Sequence, residues 1–362
     1  MILSLADQTL RRLPGKATTF AFWLLAALPL LLAAVLVATL LALTPAQAAD
    51  EVSCSGQNVL TELKTRDPAR YAAAVAEGDK TANGKGIFWK IEKPGLKPSW
   101  LMGTMHLTDP RVLTMPLAAR TAHADADAII VESDEILDDN KAAAALLAKP
   151  ELTMFTDGTT ITSLLSKEDA AKLEAGLKAR GVALPLVARM RPWIISSFVS
   201  LPACEFARKA KGASFLDKQI AEQALAHGAK VVGLETLSEQ LVAMSELPVE
   251  FHLQALIETL ALGDRMNDVI ETMIQLYLSG DVGMTMPMLK TLAPEAAAKD
   301  AVGYAAFEQR IILDRNHVMA TRALPYLAKG NAFMAVGALH LSGDQGLVEL
   351  LRQSGYKLTA VN

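Results

Sequence analysis

The apolar positions change period several times along the chain, and each change marks an element. An uncharged run, TTFAFWLLAALPLLLAAVLVATLLALT, occupies Thr18 to Thr44. Further on, two short apolar runs, Ile87 to Ile91 and Ser99 to Leu107, flank Lys93-Pro94-Gly95, which predicts a β-hairpin. A helix-period stretch from about Pro116 to Ala126 leads into Ala128-Ile129-Ile130-Val131, giving the strand, helix, strand order of a parallel crossover. From Lys141 to Lys209 the spacing is helical, with breaks at Gly158, Gly181 and Pro192. The helix-then-strand unit returns as an amphipathic Leu216 to His227, a stop at Gly228 and a strand over Lys230 to Leu234. Helical spacing resumes from Ser238 to about Thr321, interrupted at Gly280 to Gly283 and around Pro287 to Pro294. A strand over Ala332 to Val336, a helix over Leu347 to Gln353 and a strand over Tyr356 to Val361 complete the pattern. The fold class this predicts is α/β. A mixed or mostly parallel central sheet of repeated strand-helix units is flanked by helices, with a helical insertion over about 141–210 of one domain spanning 49–362.

The opening run changes the picture of where that domain works. Arg11, Arg12 and Lys16 precede it and Ala46-Gln47-Ala48 follows, which are the three parts of a secretory signal with cleavage expected after Ala48. Its apolar length exceeds the about 7–15 residues usual for a signal core and reaches the about 20 that span a bilayer. Residues 1–48 are therefore a signal peptide or an N-terminal membrane anchor. Either way the positive flank stays inside, and the domain is expected in the periplasm or at the outer face of the inner membrane. Only two cysteines occur, Cys54 and Cys204, either a disulfide in that oxidising compartment or two buried thiols. A net charge of −4 and the lack of a basic run interleaved with aromatics exclude nucleic acid as a partner.

Each of four predicted strands ends in a potential ligand or proton carrier: His106, Glu132, Glu235 and His340. The carboxyl edge of an open α/β sheet is where loops converge, so residues distant in sequence can meet there. Two imidazoles and two carboxylates in one pocket suit a divalent cation with a position left for water. SWLMGTMHL and FMAVGALHL repeat the order strand, Gly, two residues, His, Leu, and so look like two halves of one site. The competing readings are local ones. Either histidine can be a hydrogen-bonded loop residue, Glu132 can begin a solvated acidic loop with Asp134 and Glu135, and Glu235 can cap the next helix. Arg191 and Arg315 offer guanidinium donors for a carboxylate or an oxyanion, or form inter-helix ion pairs. His123, His227, His252 and His317 fall in helical, mostly polar contexts and are expected at the surface. A nucleophile elbow, a His-Glu-x-x-His helix and a phosphate loop are all missing.

The segments WKIEKPGLKPSWLMGTMHL, IIVESD, RPW, FLDKQIAEQALAHGAKVVGLETLSEQL, LDRNHVMA and VGALHLSGDQGLVELLRQSGYKL together resemble the TraB/GumN family, related to the Tiki metalloproteases. The resemblance runs from about Cys54 to Val361. It implies a Tiki or erythromycin esterase-like fold and metal-dependent proteolysis in which His106, His340 and Glu132 are essential. Glu235, Asp217 and Arg315 match other motif positions whose roles the resemblance does not assign. The resulting expectation is a metal-dependent hydrolase of the cell envelope, a peptidase acting on a peptide or protein substrate with Mn, Co, Zn or Fe. His106, His340 and Glu132 are expected at the metal, with Glu132, Glu235 and Arg315 as catalytic residues. The alternative is a non-catalytic envelope binding or signalling protein that captures a peptide, a haem or a metal in the same pocket.

Overall fold

The computed structural model describes residues 54–292 and 301–361. The expected signal peptide or membrane anchor over residues 1–48 and the proline at 294 lie outside the described residues. Six strands, β1 (Phe88–Glu92), β2 (Ser99–Thr104), β3 (Ala128–Val131), β4 (Lys230–Gly233), β5 (Ala332–Gly337) and β6 (Lys357–Ala360), form one sheet ordered β4-β3-β5-β2-β1-β6. The hairpin forms as expected, with Phe88 opposite Met102 in antiparallel register. Strand β5 enters between β2 and β3 and pairs parallel with both, setting Gly103 against Val336 and Val131 against Ala335. With β4 parallel to β3 and β6 antiparallel to β1, the sheet is mixed, and β2, β3, β4 and β5 all point one way.

Strands buried on both faces read as unbroken apolar runs, which is why β3 and β5 stood out in the sequence. Ile129 and Val131 of β3 join Phe333 and Ala335 of β5 on one face, against Ala119, Ala122 and the helix Leu216–Ala226. Ile130, Met334 and Val336 face the other way, onto Met319, Ala323 and Leu327 of Asp314–Leu327 and onto Leu347 and Leu351 of Leu347–Gln353. Residues 141–210 are largely helical, and Leu173, Leu177, Ile195 and Val199 among them share a buried cluster with Leu253, Leu256 and Leu260 of Val249–Ala261. Among the described residues no helix is long and apolar enough to cross a membrane.

Two boundaries differ from expectation for local reasons. Pro287 does not break the chain, because it occupies the first turn of Thr285–Leu292, where a missing N–H has no helical partner to lose. The last helix of the long helical stretch runs to Leu327, past Thr321, and carries Pro325 near its end.

The two cysteines are bonded, with Cα atoms 5.4 Å apart across a sequence separation of 150. The bridge fastens a strap along Arg265–Leu278, where Asp268 accepts from the Gln57 N–H (2.7 Å) and Thr272 from the Val59 N–H (2.9 Å). Closing so long a loop restricts the unfolded chain, so Cys54→Ser/Cys204→Ser is expected to cost about 2–4 kcal/mol. Urea titration of the oxidised protein beside the double variant measures it.

Candidate active site

Because β2, β3 and β5 are neighbours with a common direction, the residues that follow them emerge at one edge. Glu132 Oε1 lies 3.8 Å from His106 Nε2 and 3.8 Å from His340 Nε2. The far nitrogen of each ring is held in place. Asp217 Oδ2 sits 3.2 Å from His106 Nδ1, and the same carboxylate accepts from Thr104 Oγ1 at 2.7 Å. Asn316 Nδ2 donates to the Gln345 carbonyl (2.8 Å), so its Oδ1 faces His340 Nδ1 at 2.7 Å as an acceptor. That contact puts the proton of neutral His340 on Nδ1 and leaves the Nε2 lone pair aimed toward Glu132. Glu132, His340, Asp217 and Asn316 are buried, whereas 54% of the His106 side chain is exposed.

The two glycines of the Gly-x-x-His repeat have different work. At Gly103 an added Cβ would press on Ala338 and Leu341 at 3.0 Å, so this glycine lets the two repeats pack together. At Gly337 it would stand 3.0 Å from Glu132 Oε1 and 3.6 Å from His106 Nε2, in the space between the two histidines and the carboxylate. The Gly337 N–H donates to Glu132 Oε1 at 2.6 Å. Its bare Cα therefore keeps clear the space beside the Glu132 oxygen and the two imidazole rings.

Arg315 ties the carboxylates together. Its Nη2 donates to Glu132 Oε2 (2.7 Å) and Glu235 Oε2 (2.8 Å), Nε lies 3.0 Å from Glu235 Oε2, and Nη1 donates to the Ile311 carbonyl (3.2 Å). A six-residue π-helix, Glu308–Leu313, runs directly into the helix Asp314–Leu327 that carries Arg315 and supplies that carbonyl. The desolvated surroundings of its inner edge resist charge on His106, whose outer face is open to solvent, but the carboxylates of Asp217 and Glu132 prevail and push the imidazole up to about 9. Burial also dominates at His340, and with Arg315 and His106 close by it is pushed down to about 4. Burial opposes ionisation of Glu132, yet His340, His106, Arg315 and the Gly337 N–H together hold it at about 2.

Of the residues expected here from sequence, His106, Glu132, His340 and Arg315 line one cavity of about 710 Å³. Glu235 does not line it; its carboxylate is taken up by Arg315, and the following helix is capped instead by Thr236 and Glu239. Arg191 also lies elsewhere, its guanidinium 4.4 Å over the Phe155 ring and its Nε donating to the Glu151 carbonyl. His227 and His317 are exposed as expected, but His123 and His252 are buried. His123 Nε2 meets the Ile220 carbonyl at 3.0 Å between helix and sheet, and His252 lines the cavity with Nε2 2.8 Å from the Met244 carbonyl. Sequence reasoning also missed Glu205, whose carboxylate accepts from both Thr108 N (2.9 Å) and Thr108 Oγ1 (2.7 Å), two residues beyond His106.

The profile of the TraB/PrgY/gumN family matches residues 87–360, which takes in every strand and all of these residues. The chain belongs to the TraB/PrgY/gumN family. Relatives of this family member include the protein named metalloprotease TIKI2 of Xenopus tropicalis, 25% identical over 83% of this chain and 64% of that protein. The protein of that name from Danio rerio is 23% identical over 77% of this chain and 62% of its own length. A metalloprotease TIKI homolog of Nematostella vectensis is 20% identical over 77% of this chain and 68% of its own. The chain thus spans a little under two thirds of the two TIKI2 proteins. No solved structure matches it.

Those names raise the question of a metal. Among the described residues no three or more His, Cys, Asp or Glu side chains are drawn together tightly enough to hold an ion as they stand. In kind, however, the donors fit one. Two imidazole Nε2 atoms with anchored Nδ1 partners face one carboxylate oxygen, and an ion about 2.0–2.2 Å from each donor bridges separations up to about 4 Å. The 3.8 Å spacings fall inside that limit. The residues that hold the rings are expected to matter nearly as much as the rings. Asp217→Ala and Asn316→Ala should each weaken metal binding about 10–100-fold, which isothermal titration with Mn²⁺ or Zn²⁺ would report.

Proposed function

We propose that this family member is a metal-dependent hydrolase acting on peptide bonds outside the cytoplasm, with His106, His340 and Glu132 as the residues that hold a divalent cation. The observation that carries the proposal is the convergence of two ring-anchored Nε2 atoms on one buried carboxylate oxygen, over a glycine whose missing side chain leaves the space clear. The names of the relatives support it. The Cys54–Cys204 bond supports an oxidising compartment, as does the export segment.

A divalent cation held there would act as a Lewis acid, polarising the scissile carbonyl and activating water toward it. The overall reaction breaks the amide C–N bond, adds hydroxyl to the acyl carbon and returns a proton to the amine. Asp217 and Asn316 fix which edge of each imidazole points inward. Arg315 and the Gly337 N–H withdraw basicity from Glu132, which suits it to be an anionic ligand more than a general base. Arg315 has its Nε and Nη2 donors committed to the glutamates, so it works as their clamp, and Glu235 positions Arg315 in turn.

Metal content and hydrolysis of a quenched-fluorescent peptide library test the reading, before and after chelation, on the wild type and on His106→Ala/His340→Ala. Near-stoichiometric metal and metal-dependent cleavage, both lost in the double variant, are expected. Cleavage that survives chelation and the double substitution would sink the assignment. Tight peptide binding without turnover would favour the envelope binding protein instead.

A further inference from the structure

Much of the cavity lining comes from helices that contribute nothing to the two buried clusters on the faces of the sheet. Val249–Ala261, Arg265–Leu278, Thr285–Leu292 and Ala301–Phe307 all contribute to it. Phe251, Met273, Met286 and Phe307 of these helices, with Met105 just after β2 and Ile311 of Glu308–Leu313, form this wall, and each is only half-buried although wholly apolar. Half-exposed apolar side chains are ordinary when scattered, but concentrated in one concavity they mark a binding surface. Outside the catalytic cluster the charged lining residue is Lys290, and its ammonium is paired with Glu77 at 3.2 Å. His252, also in the lining, is kept neutral by burial, which pushes its pKa down.

The wall has two textures. Phe251 meets Tyr304 edge-on at 5.7 Å and Phe307 at 6.0 Å, a rigid aromatic side. Met105, Met273 and Met286 supply unbranched thioethers that can repack around differing shapes. The cavity, about 710 Å³, lies within the about 300–1,000 Å³ that engulfs a drug-sized ligand, so it has room for more than one side chain. Hydroxyls of Ser196, Thr259 and Thr285 recur along the lining. A peptide backbone can pair with such groups, whereas an acyl chain would desolvate them without a partner.

We propose that this wall sets specificity by taking consecutive apolar side chains beside the bond to be cut, so that the substrate class is a hydrophobic peptide segment without acidic residues. The proposal rests on the peptidase reading above for the bond, and on the cavity alone for the side chains. Binding can therefore be measured apart from cleavage. A fluorescein-labelled hexapeptide of Leu, Phe and Val is compared with a version in which those residues are Ser and another in which two are Asp. Fluorescence anisotropy is read on the full chain carrying His106→Ala/His340→Ala, and cleavage rates are read on the wild type.

The apolar peptide is expected to bind at least about 10-fold more tightly than the Ser version, since a methylene-sized loss in an apolar pocket is worth about 10–200-fold. Met273→Lys should remove most of that preference and improve binding of the Asp peptide. Phe307→Ala, a milder change, should weaken the apolar peptide selectively if the lysine variant does not fold. Equal affinity for the apolar and Ser peptides would overturn the proposal. So would dodecanoate displacing the apolar peptide from well below the peptide's own dissociation constant, which would make the occupant a lipid. Selective apolar binding with no cleavage would uphold the pocket and refute the hydrolase, and cleavage indifferent to side chains would do the reverse.

Discussion

Replacing Arg315 by alanine is expected to destabilise the protein by about 3–5 kcal/mol, the range observed when one partner of a buried ion pair is removed and the other is left. Here two carboxylates are stranded. Glu132 and Glu235 are 7% and 6% exposed, and both depend on Arg315 Nη2 at 2.7 and 2.8 Å. Glu132 keeps the Gly337 N–H, but the Glu235 carboxylate loses each of the contacts described for it here. Chemical denaturation followed by circular dichroism measures the loss, and Glu235→Gln/Arg315→Met tests its origin. If unpaired charge is the cause, the double variant, with a neutral amide beside a thioether, recovers much of the stability. A double variant as unstable as Arg315→Ala alone would place the cause at the still-charged Glu132 or in packing.

The second large effect is on activity. His106→Ala and His340→Ala are each expected to lower hydrolysis by about 10⁴-fold or more, the scale on which members of an interdependent catalytic set fail singly. Combining them should add little further. The two differ in what else they change. His106 pairs as a cation with the buried Asp217 carboxylate and meets the Phe215 ring edge-on, so its loss should lower the melting temperature of the metal-free protein at neutral pH, an effect that fades as pH rises past about 9 and the wild-type imidazole loses its proton. His340 is buried against Asn316, and removing it strands that amide oxygen, so a loss of about 1–3 kcal/mol is expected as well. Single-turnover kinetics with calorimetry on the chelated protein separates the two. An His106→Ala variant that hydrolyses at the wild-type rate would remove that residue from the mechanism.

Much of the sheet was visible in the sequence because its central strands are buried on both sides. Ala128–Val131 is a strand with the same bounds as the apolar run, and the helix after β5 coincides with its amphipathic stretch. The strand-end residues were visible for a related reason, since a polar group that terminates an apolar run must lie at a sheet edge. What the run does not reveal is which edge residues share a partner. Arg315 is separated from Glu132 by 183 positions and from Glu235 by 80, and no spacing rule connects them. His123 and His252 were misplaced on the surface because their helices are polar enough to read as solvated. Which stripe of such a helix meets Phe333 or Trp193 is decided by tertiary packing. The Gly-x-x-His repeat was legible as a pattern, but the separate duties of Gly103 and Gly337 follow only from their neighbours in space.

The insertion of β5 between β2 and β3 governs when the two histidines and Glu132 can first come together. The strands that carry His106 and Glu132 are not hydrogen-bonded to each other; each pairs with β5, which begins at Ala332. A chain emerging from N- to C-terminus must hold its first hairpin and β3 apart until some two hundred residues later have arrived. Pairing so distant in sequence closes slowly, because loop entropy is spent before the contacts form. Assembly of the sheet centre and delivery of His340 are then one event, so a growing chain carries no finished site until its last strands have been made.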